Sequence, residues 1–382
     1  MRRALFSLVL LAGAADAQER PVAVVGATIL TGLTGERERI ENGTLVFRGG
    51  KIESVGAGSA VPEGASTVDG AGLFLTPGLI DAYSEFGIEG DNTDRENVLS
   101  PGRDVLKRFE PQSSPLWLRN GVTATYVSPG AGNLLAGYGA VVKLTGAVVE
   151  ERAALEASFG ERALEAIDSF EAPTTRQGMI GLLRQTFVRA REDTLVGEGG
   201  ESIGRVLAKE IPLHAIVNTP DDILTALRFG KEFDVKLVLV SAMGGHEVGA
   251  AIAAAQVPVI VYPSIVGIGD GGPYEGFAHT PANAAKLQEA GVAIALATFA
   301  RGGRSVAFEG VVARAHGLPK EAALAAMTSS AASILGVGER LGTLEPGKDA
   351  DLVLWKGEPP GTWAEAQRVI VDGATVFDRS QP

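Results

Sequence analysis

TPGLIDAYSEFG, residues 76–87, opens with a Pro-Gly turn, continues with the apolar pair Leu79 and Ile80 and an acid, and then sets Tyr83 and Glu85 on alternate positions. Residues two apart in a strand face the same side, so Tyr83 and Glu85 are expected to project together from a strand that starts just after the turn. Upstream, from Val22 to Phe74, short apolar runs are broken by glycines: VAVVGATIL, GTLVFRGGKIESVGAG and STVDGAGLFL. Gly49-Gly50, between Phe47 and Ile52, reads as a hairpin turn. The chain ends in the same way. LGTLEPGKDADLVLWKGEP (341–359) carries a turn at Pro346-Gly347 and the strand DLVLW, and RVIVDGATVF (368–377) is a second hairpin around Asp372-Gly373. Neither end has enough strands for a stable sheet of its own, so the two are expected to pair.

The middle of the chain alternates. HAIVN (214–218), KLVLVS (236–241), VPVIVYP (257–263) and VAIALAT (292–298) are continuous apolar runs, the mark of strands buried on both faces. Helical segments lie between them. The clearest starts at Thr219, an N-cap residue, with Pro220 at the first helical position and Asp221 and Asp222 at the positive end of the helix dipole. Ile223, Leu224 and Leu227 supply its buried stripe. Strand-helix units repeated over about 260 residues suit a closed eight-stranded parallel barrel, and an open doubly wound sheet is the alternative. The expected class is α/β: a (β/α)8 TIM-like barrel over 76–338, with a small β-sandwich built from both chain ends, 18–75 and 339–382.

The 382 residues are enough for a large domain with a small one beside it. Lys plus Arg total 34 against 46 Asp plus Glu, a net charge of −12, which argues against nucleic acid or an anionic membrane as partner. MRRALFSLVLLAGAADAQ has two arginines, an apolar run from Ala4 to Ala14, and Ala15-Asp16-Ala17, the pattern of a secretory signal cleaved after Ala17. The run is short for a spanning helix, so no membrane span is expected after cleavage. Loss of residues 1–17 leaves 32 basic against 45 acidic residues, a net of −13. No cysteine occurs, which excludes disulfides, thiolate zinc sites and cysteine nucleophiles. A periplasmic or secreted location is expected.

TPGLIDA (76–82), GVTATYVSPG (121–130), DDILTAL (221–227) and LGTLEPGKDADLVLW (341–355) together resemble the amidohydrolase superfamily, in its imidazolonepropionase-like branch, over nearly the whole mature chain. The resemblance implies hydrolysis of amide or cyclic-amide bonds, C–N bonds other than peptide bonds, by a water held on one or two divalent metals. It also implies ligands from an HxH after the first barrel strand, often a carboxylated Lys on the fourth, single histidines on the fifth and sixth, and an Asp ending the eighth. In this chain the HxH is Tyr83-Ser84-Glu85. Aligned on Asp221-Asp222-Ile223, the fifth strand presents Ile216 at the ligand position and Asn218 two further on. His214 lies two residues earlier on the same face, about one pleat or roughly 6 to 7 Å lower. Ser241 takes the sixth-strand position, and Thr298-Phe299 replaces the Ser-Asp pair of the eighth. Lys143 in GAVVKLTG falls on an early barrel strand, where a structural or anion-binding role competes with carboxylation. Among Tyr83, Glu85, Ile216, Ser241 and Phe299 one ligand type remains, and a divalent ion needs three or four, so no metal and no other cofactor is expected.

Two readings follow. The first is a relative whose metal site is lost: a non-catalytic binding protein for a small molecule, or a homo- or hetero-oligomer partner of an intact amidohydrolase. The second is a metal-independent hydrolase using Glu85 with Tyr83, His214 or His246, the carboxyl being buried and its pKa raised. The bland alternatives are an ion pair for Glu85 and a loop role for His246 in SAMGGHEV; His279 and His316 read as loop and helix-end residues. The glycine-rich stretches PGAGNLLAGYG (129–139) and IVGIGDGGPYEG (265–276) fit neither a phosphate loop nor a dinucleotide fingerprint and read as loops on the barrel rim.

Overall fold

The computed structural model describes residues 20–35, 38–111, 115–161, 163, 173–264, 275–300 and 305–381. The proposed leader lies outside them. The glycine-punctuated N-terminal stretch forms β1 (Val22–Leu30), β2 (Arg39–Arg48), β3 (Lys51–Gly56), β4 (Ser66–Asp69) and β5 (Phe74–Pro77). The barrel strands follow as β6 (Leu79–Ser84), β7 (Val122–Val127), β8 (Leu135–Lys143), β9 (Val148–Ser158), β10 (Leu213–Val217), β11 (Leu237–Ser241), β12 (Val259–Val261) and β13 (Ile294–Leu296). The chain closes with β14 (Leu352–Lys356), β15 (Glu365–Val371) and β16 (Ala374–Asp378).

The two ends share one sheet in the order β16-β15-β14-β5-β1-β2-β3, with β4 beside β1. The joint is β14 on β5, antiparallel, with Leu352 opposite Pro77 and Trp355 opposite Phe74. Both hairpins stand where their glycines put them, between β2 and β3 and between β15 and β16.

The other sheet runs β6 to β13 in sequence order. It closes through backbone bonds beyond the last strand: Phe299 N donates to Tyr83 O at 3.0 Å and Glu85 N to Ala300 O at 3.2 Å. One strand departs from the all-parallel expectation. β8 is antiparallel to both β7 and β9, so hairpins replace helical crossovers there. The rim loop expected over 129–139 is therefore a loop only in its first part, since Leu135–Gly139 belongs to β8. The reason lies in close packing: a Cβ on Gly139 would come within 1.9 Å of Tyr126 Oη. Its glycine makes room for a ring and does not mark a turn.

The described α-helices are α1 (Pro115–Arg119), α2 (Arg176–Arg191), α3 (Glu198–Leu207), α4 (Pro220–Phe233), α5 (Gly249–Ala254), α6 (Asn283–Glu289), α7 (Val306–Ala315), α8 (Lys320–Ala326) and α9 (Ser329–Ile334). α4 begins as its sequence dictates: Thr219 Oγ1 accepts from Asp222 N at 3.2 Å, and Ile223, Ala226, Phe229 and Phe233 are buried. None of the described helices is long and apolar enough to cross a membrane.

Barrel and end sheet are tied by a buried cation. Lys143 Nζ, at the end of β8, donates to Asp349 Oδ2 at 2.8 Å, Asp351 Oδ1 at 3.0 Å and Asp372 Oδ1 at 2.5 Å. Asp349 also receives Lys51 Nζ at 2.5 Å and Arg340 Nη2 at 2.9 Å. Burial pushes Asp349 up, but the hydrogen bonds from Lys143 and Lys51 outweigh it and hold the carboxyl at about 2. Lys143 is thus a structural bond and lies away from the barrel bore.

Candidate functional site

A barrel of this kind delivers the C-terminal ends of its strands to one rim, where side chains from different strands meet. Here they meet around an acid. Glu156, near the end of β9, is fully buried. Its Oε1 accepts from Tyr126 Oη at 2.8 Å, and its Oε2 lies 3.0 Å from Tyr83 Oη and 2.9 Å from Ser128 Oγ. Ser128 Oγ is also 2.7 Å from Tyr83 Oη and accepts from Gly130 N at 2.9 Å. Burial pushes Glu156 up to about 8, against the pull of the three hydroxyls, and the nearby charge of Glu85 raises it further. The carboxyl is therefore largely neutral at pH 7. Burial likewise raises both phenols well above their ordinary value, with the Glu156 charge adding to it.

Aromatic rings cover this knot. Tyr83 stacks on Phe299 at 4.4 Å between centroids, Phe299 meets Tyr262 at 4.5 Å, and Tyr126 meets His214 at 5.0 Å. His214 is 1% exposed, and neither ring nitrogen has a hydrogen-bond partner among the described residues. Burial lowers its pKa to about 3, so it is neutral. Ile216 packs in the bore with Val240, Ile260 and Ala295.

A second chain of polar contacts runs from the bore outward. Ser241 Oγ lies 2.5 Å from Asn218 Oδ1, Asn218 Nδ2 donates to Glu275 Oε2 at 2.7 Å, and Arg176 Nη2 donates to Glu275 Oε1 at 2.7 Å. Asp81, the acid of the opening stretch, joins the first and last barrel strands. Its Oδ1 accepts from Thr298 N at 3.0 Å and its Oδ2 from Thr298 Oγ1 at 2.5 Å, while burial pushes it up to about 7. Three non-glycine residues at the rim have left-handed backbone: Ser241 at φ +73°, Ala242 at +44° and Phe299 at +53°. Such geometry is costly and concentrates at sites where side chains must be aimed.

The remaining sequence candidates are spread around this centre. Glu85 is half-buried at the rim, close enough for its charge to act on Tyr83 and Glu156. His246 sits in a short turn after β11; its backbone N donates to Asn283 Oδ1 at 2.9 Å and its Nε2 is 4.0 Å from Glu247. His279 lies with its ring 6.0 Å from that of Tyr262, its pKa lowered by burial, and His316 ends α7. Most of the stretch 265–276 lies outside the described residues.

The amidohydrolase family model matches residues 277–376. The crystal structure of an amidohydrolase from Thermotoga maritima, 29% identical, superposes with a TM-score of 0.84 over 94% of this chain and 100% of that one. The chain carries an amidohydrolase family domain. Among curated relatives, the imidazolonepropionase of Aromatoleum aromaticum is 27% identical over 84% of this chain and 87% of its own. Amidohydrolase tasK of Hapsidospora irregularis is 26% identical over 87% of this chain, which spans 40% of that protein's length. The architecture is that of amidohydrolase-family hydrolases.

Within that family the resemblance places a carboxylated lysine on the fourth barrel strand. Glu156 stands on that strand here, and the sequence reading passed over it, as it did Tyr126 and Ser128. The signals were present: Glu156 is the lone charge in the run AALEAS (153–158), and Tyr126 and Ser128 stand two apart at the end of β7 and just beyond it. A buried carboxyl with a raised pKa stands at Glu156, with Glu85 half-buried beside it. The side chains present do not suit a divalent ion: the Tyr83 phenol stays protonated, Glu156 is satisfied by three hydroxyls, Ser241 by Asn218, and Ile216 and Phe299 are apolar. Among the described residues no three His, Asp or Glu side chains gather in a way that would hold one.

Proposed function

We propose that this protein is a metal-independent member of the family that serves as a non-catalytic binding protein, or as the partner subunit of an active homologue. One observation carries the reading. Where the resemblance places metal ligands, the bore is filled by Glu156 clasped by Tyr83, Tyr126 and Ser128 beneath the Tyr83–Phe299–Tyr262 stack. Metal-dependent hydrolysis needs a water held between ligands and substrate. Metal-free acid-base catalysis by Glu156 and Tyr83 meets a different obstacle, because the pair is 0% and 3% exposed and a catalyst must come within hydrogen-bond reach of its substrate. Export belongs to the same proposal and rests on the arginine, apolar and Ala-x-Ala pattern of the first residues.

The test is the metal content, by plasma mass spectrometry, of protein purified without chelator, followed by zinc titration. Below about a tenth of an equivalent, with no heat of zinc binding, is expected for a site lacking its donors. Near one equivalent, lost in Glu156→Gln or Glu85→Gln and accompanied by hydrolysis of a cyclic amide, would overturn the proposal.

A further inference from the structure

The chain between β6 and β7 is long for a strand connection, and its described part is tightly folded. Asp91 Oδ1 accepts from Thr93 N at 2.9 Å, Asp94 Oδ2 accepts from Ser100 Oγ at 2.7 Å, and Asn133 Nδ2 donates to the carbonyls of Asp94 and Asn97, each at 2.7 Å. This fold leaves a cleft of about 470 Å³ beside the barrel rim, with Asn92, Ser100, Arg103, Lys107, Arg108 and Pro129 in its walls.

Two guanidinium groups in that wall share one neutral partner. Asn92 Oδ1 accepts from Arg103 Nη2 at 3.2 Å and from Arg108 Nη1 at 2.9 Å. Their other bonds are to neutral oxygens as well: Arg103 Nη2 to Asn92 O at 2.6 Å, Arg103 Nη1 to Asn133 Oδ1 at 3.4 Å, Arg108 Nη1 to Asp91 O at 3.1 Å and Arg108 Nη2 to Glu89 O at 3.2 Å. Among the described residues no carboxylate lies within 4.0 Å of either group, and neither Nε is hydrogen-bonded. Like charges held this close without a directly bonded counterion repel each other. Burial lowers the Arg103 pKa, the charges of Asp94 and Asp91 oppose it, and the Arg108 charge lowers it again.

The geometry points to an oxyanion site, in which a small carboxylate- or phosphate-bearing ligand lies between Arg103 and Arg108 with Lys107 at the entrance. Guanidinium forks match carboxylate and phosphate oxygens and, being oriented in advance by carbonyls, lose little freedom on binding. The cleft's acids lie apart from this wall: Asp104 pairs with Arg152 at 3.5 Å and accepts from Leu106 N at 3.0 Å, and Glu198 lies across Gly102. The two guanidinium groups thus stand together on one wall, which suits a small anion better than a polyanion. Asn92 Nδ2 also donates to Ser128 O at 3.3 Å, so the site adjoins the Glu156 knot without depending on whether the bore binds metal.

Calorimetric titration of the full chain at low salt with inorganic phosphate, and separately with succinate, tests the site. Arg108→Gln is the decisive variant because the side chain is exposed; Arg103→Gln, which also frees the Asn92 carbonyl, is read beside its melting temperature. Binding in the millimolar range or tighter by at least one anion is expected, weakened about tenfold or more in Arg108→Gln at unchanged melting temperature, and unaffected by Lys356→Gln on the end sheet. Preference between the two anions separates a tetrahedral from a planar ligand. No heat up to about 10 mM, or equal affinity in Arg108→Gln, would refute the site.

Discussion

Glu156→Gln should change the shape of the stability profile with pH, and the direction follows from the structure. The carboxyl titrates near 4.5 in the unfolded chain and at about 8 in the folded one. A raised acid pKa means that the folded state keeps a proton the unfolded state has released, so its contribution is complete below pH 4.5 and is lost as pH rises to 8. Each pH unit in that window removes about 1.4 kcal/mol, or about 4 kcal/mol between pH 5 and pH 8. Asp81, raised to about 7, acts in the same sense up to that pH. His214 acts in the opposite sense: with its pKa lowered from 6.5 to about 3, its contribution is complete above pH 6.5 and is lost as pH falls. The wild type should therefore show a plateau in mildly acidic solution and a falling alkaline limb. Gln keeps the shape and an acceptor oxygen for the tyrosines but has nothing to ionise, so the gap between the proteins should narrow by about 4 kcal/mol from pH 5 to pH 8. Urea unfolding, followed by tryptophan fluorescence and circular dichroism at several pH values, measures this directly. Parallel profiles would show that Glu156 ionises in the folded protein as it does in water, and the reasoning from burial would fail.

Four further substitutions probe the frame. Lys143→Met would leave Asp349, Asp351 and Asp372 without their shared cation, and about 3–5 kcal/mol should be lost in urea at pH 7. Gly139→Ala should destabilise by about 2 kcal/mol or more because its Cβ would collide with Tyr126, whereas Gly181→Ala in α2, which faces open space, should gain about 0.5–1 kcal/mol; equal effects in thermal melts would undo the packing argument. His214→Phe replaces two unpartnered ring nitrogens by carbon, and the expected result is a protein at least as stable at pH 7 that resists acid better, read from the acid limb of the same unfolding series.

What the sequence shows, it shows where one residue's physics acts locally. The apolar runs of β10 to β13 could only be strands buried on both faces, Thr219-Pro220 could only start a helix, and Gly49-Gly50 and Asp372-Gly373 could only turn hairpins. Four features were hidden because they depend on partners outside the local stretch. The direction of β8 is set by its pairing with β7 and β9, and Gly139, which looks like a loop residue in a row of glycines, is required by a ring on the neighbouring strand. Glu156 is an unremarkable acid until Tyr83, Tyr126 and Ser128 converge on it from 73, 30 and 28 residues away. The Lys143 tie to Asp349, across 206 residues, was hidden in the same way.

The backbone of the rim is constrained separately from the side chains it carries. Ser241 and Phe299 occupy ligand positions implied by the family resemblance, and both have left-handed backbone that a serine or phenylalanine does not favour. Neither hydroxyl nor ring explains that conformation, since Ser241 needs only Asn218 and Phe299 only its aromatic neighbours. The strand ends explain it better. Phe299 N closes the barrel on Tyr83 O, and Ala242 N turns back to Val217 O at 2.7 Å, so the chain must bend there whatever side chain it carries. A barrel built this way aims residues into its mouth whatever their chemistry, and here the aimed positions are filled by packing: a ring on a ring, a hydroxyl on an amide, a carboxyl kept neutral among hydroxyls. Beside that mouth, among the described residues, the guanidinium groups of Arg103 and Arg108 share one neutral partner, Asn92 Oδ1.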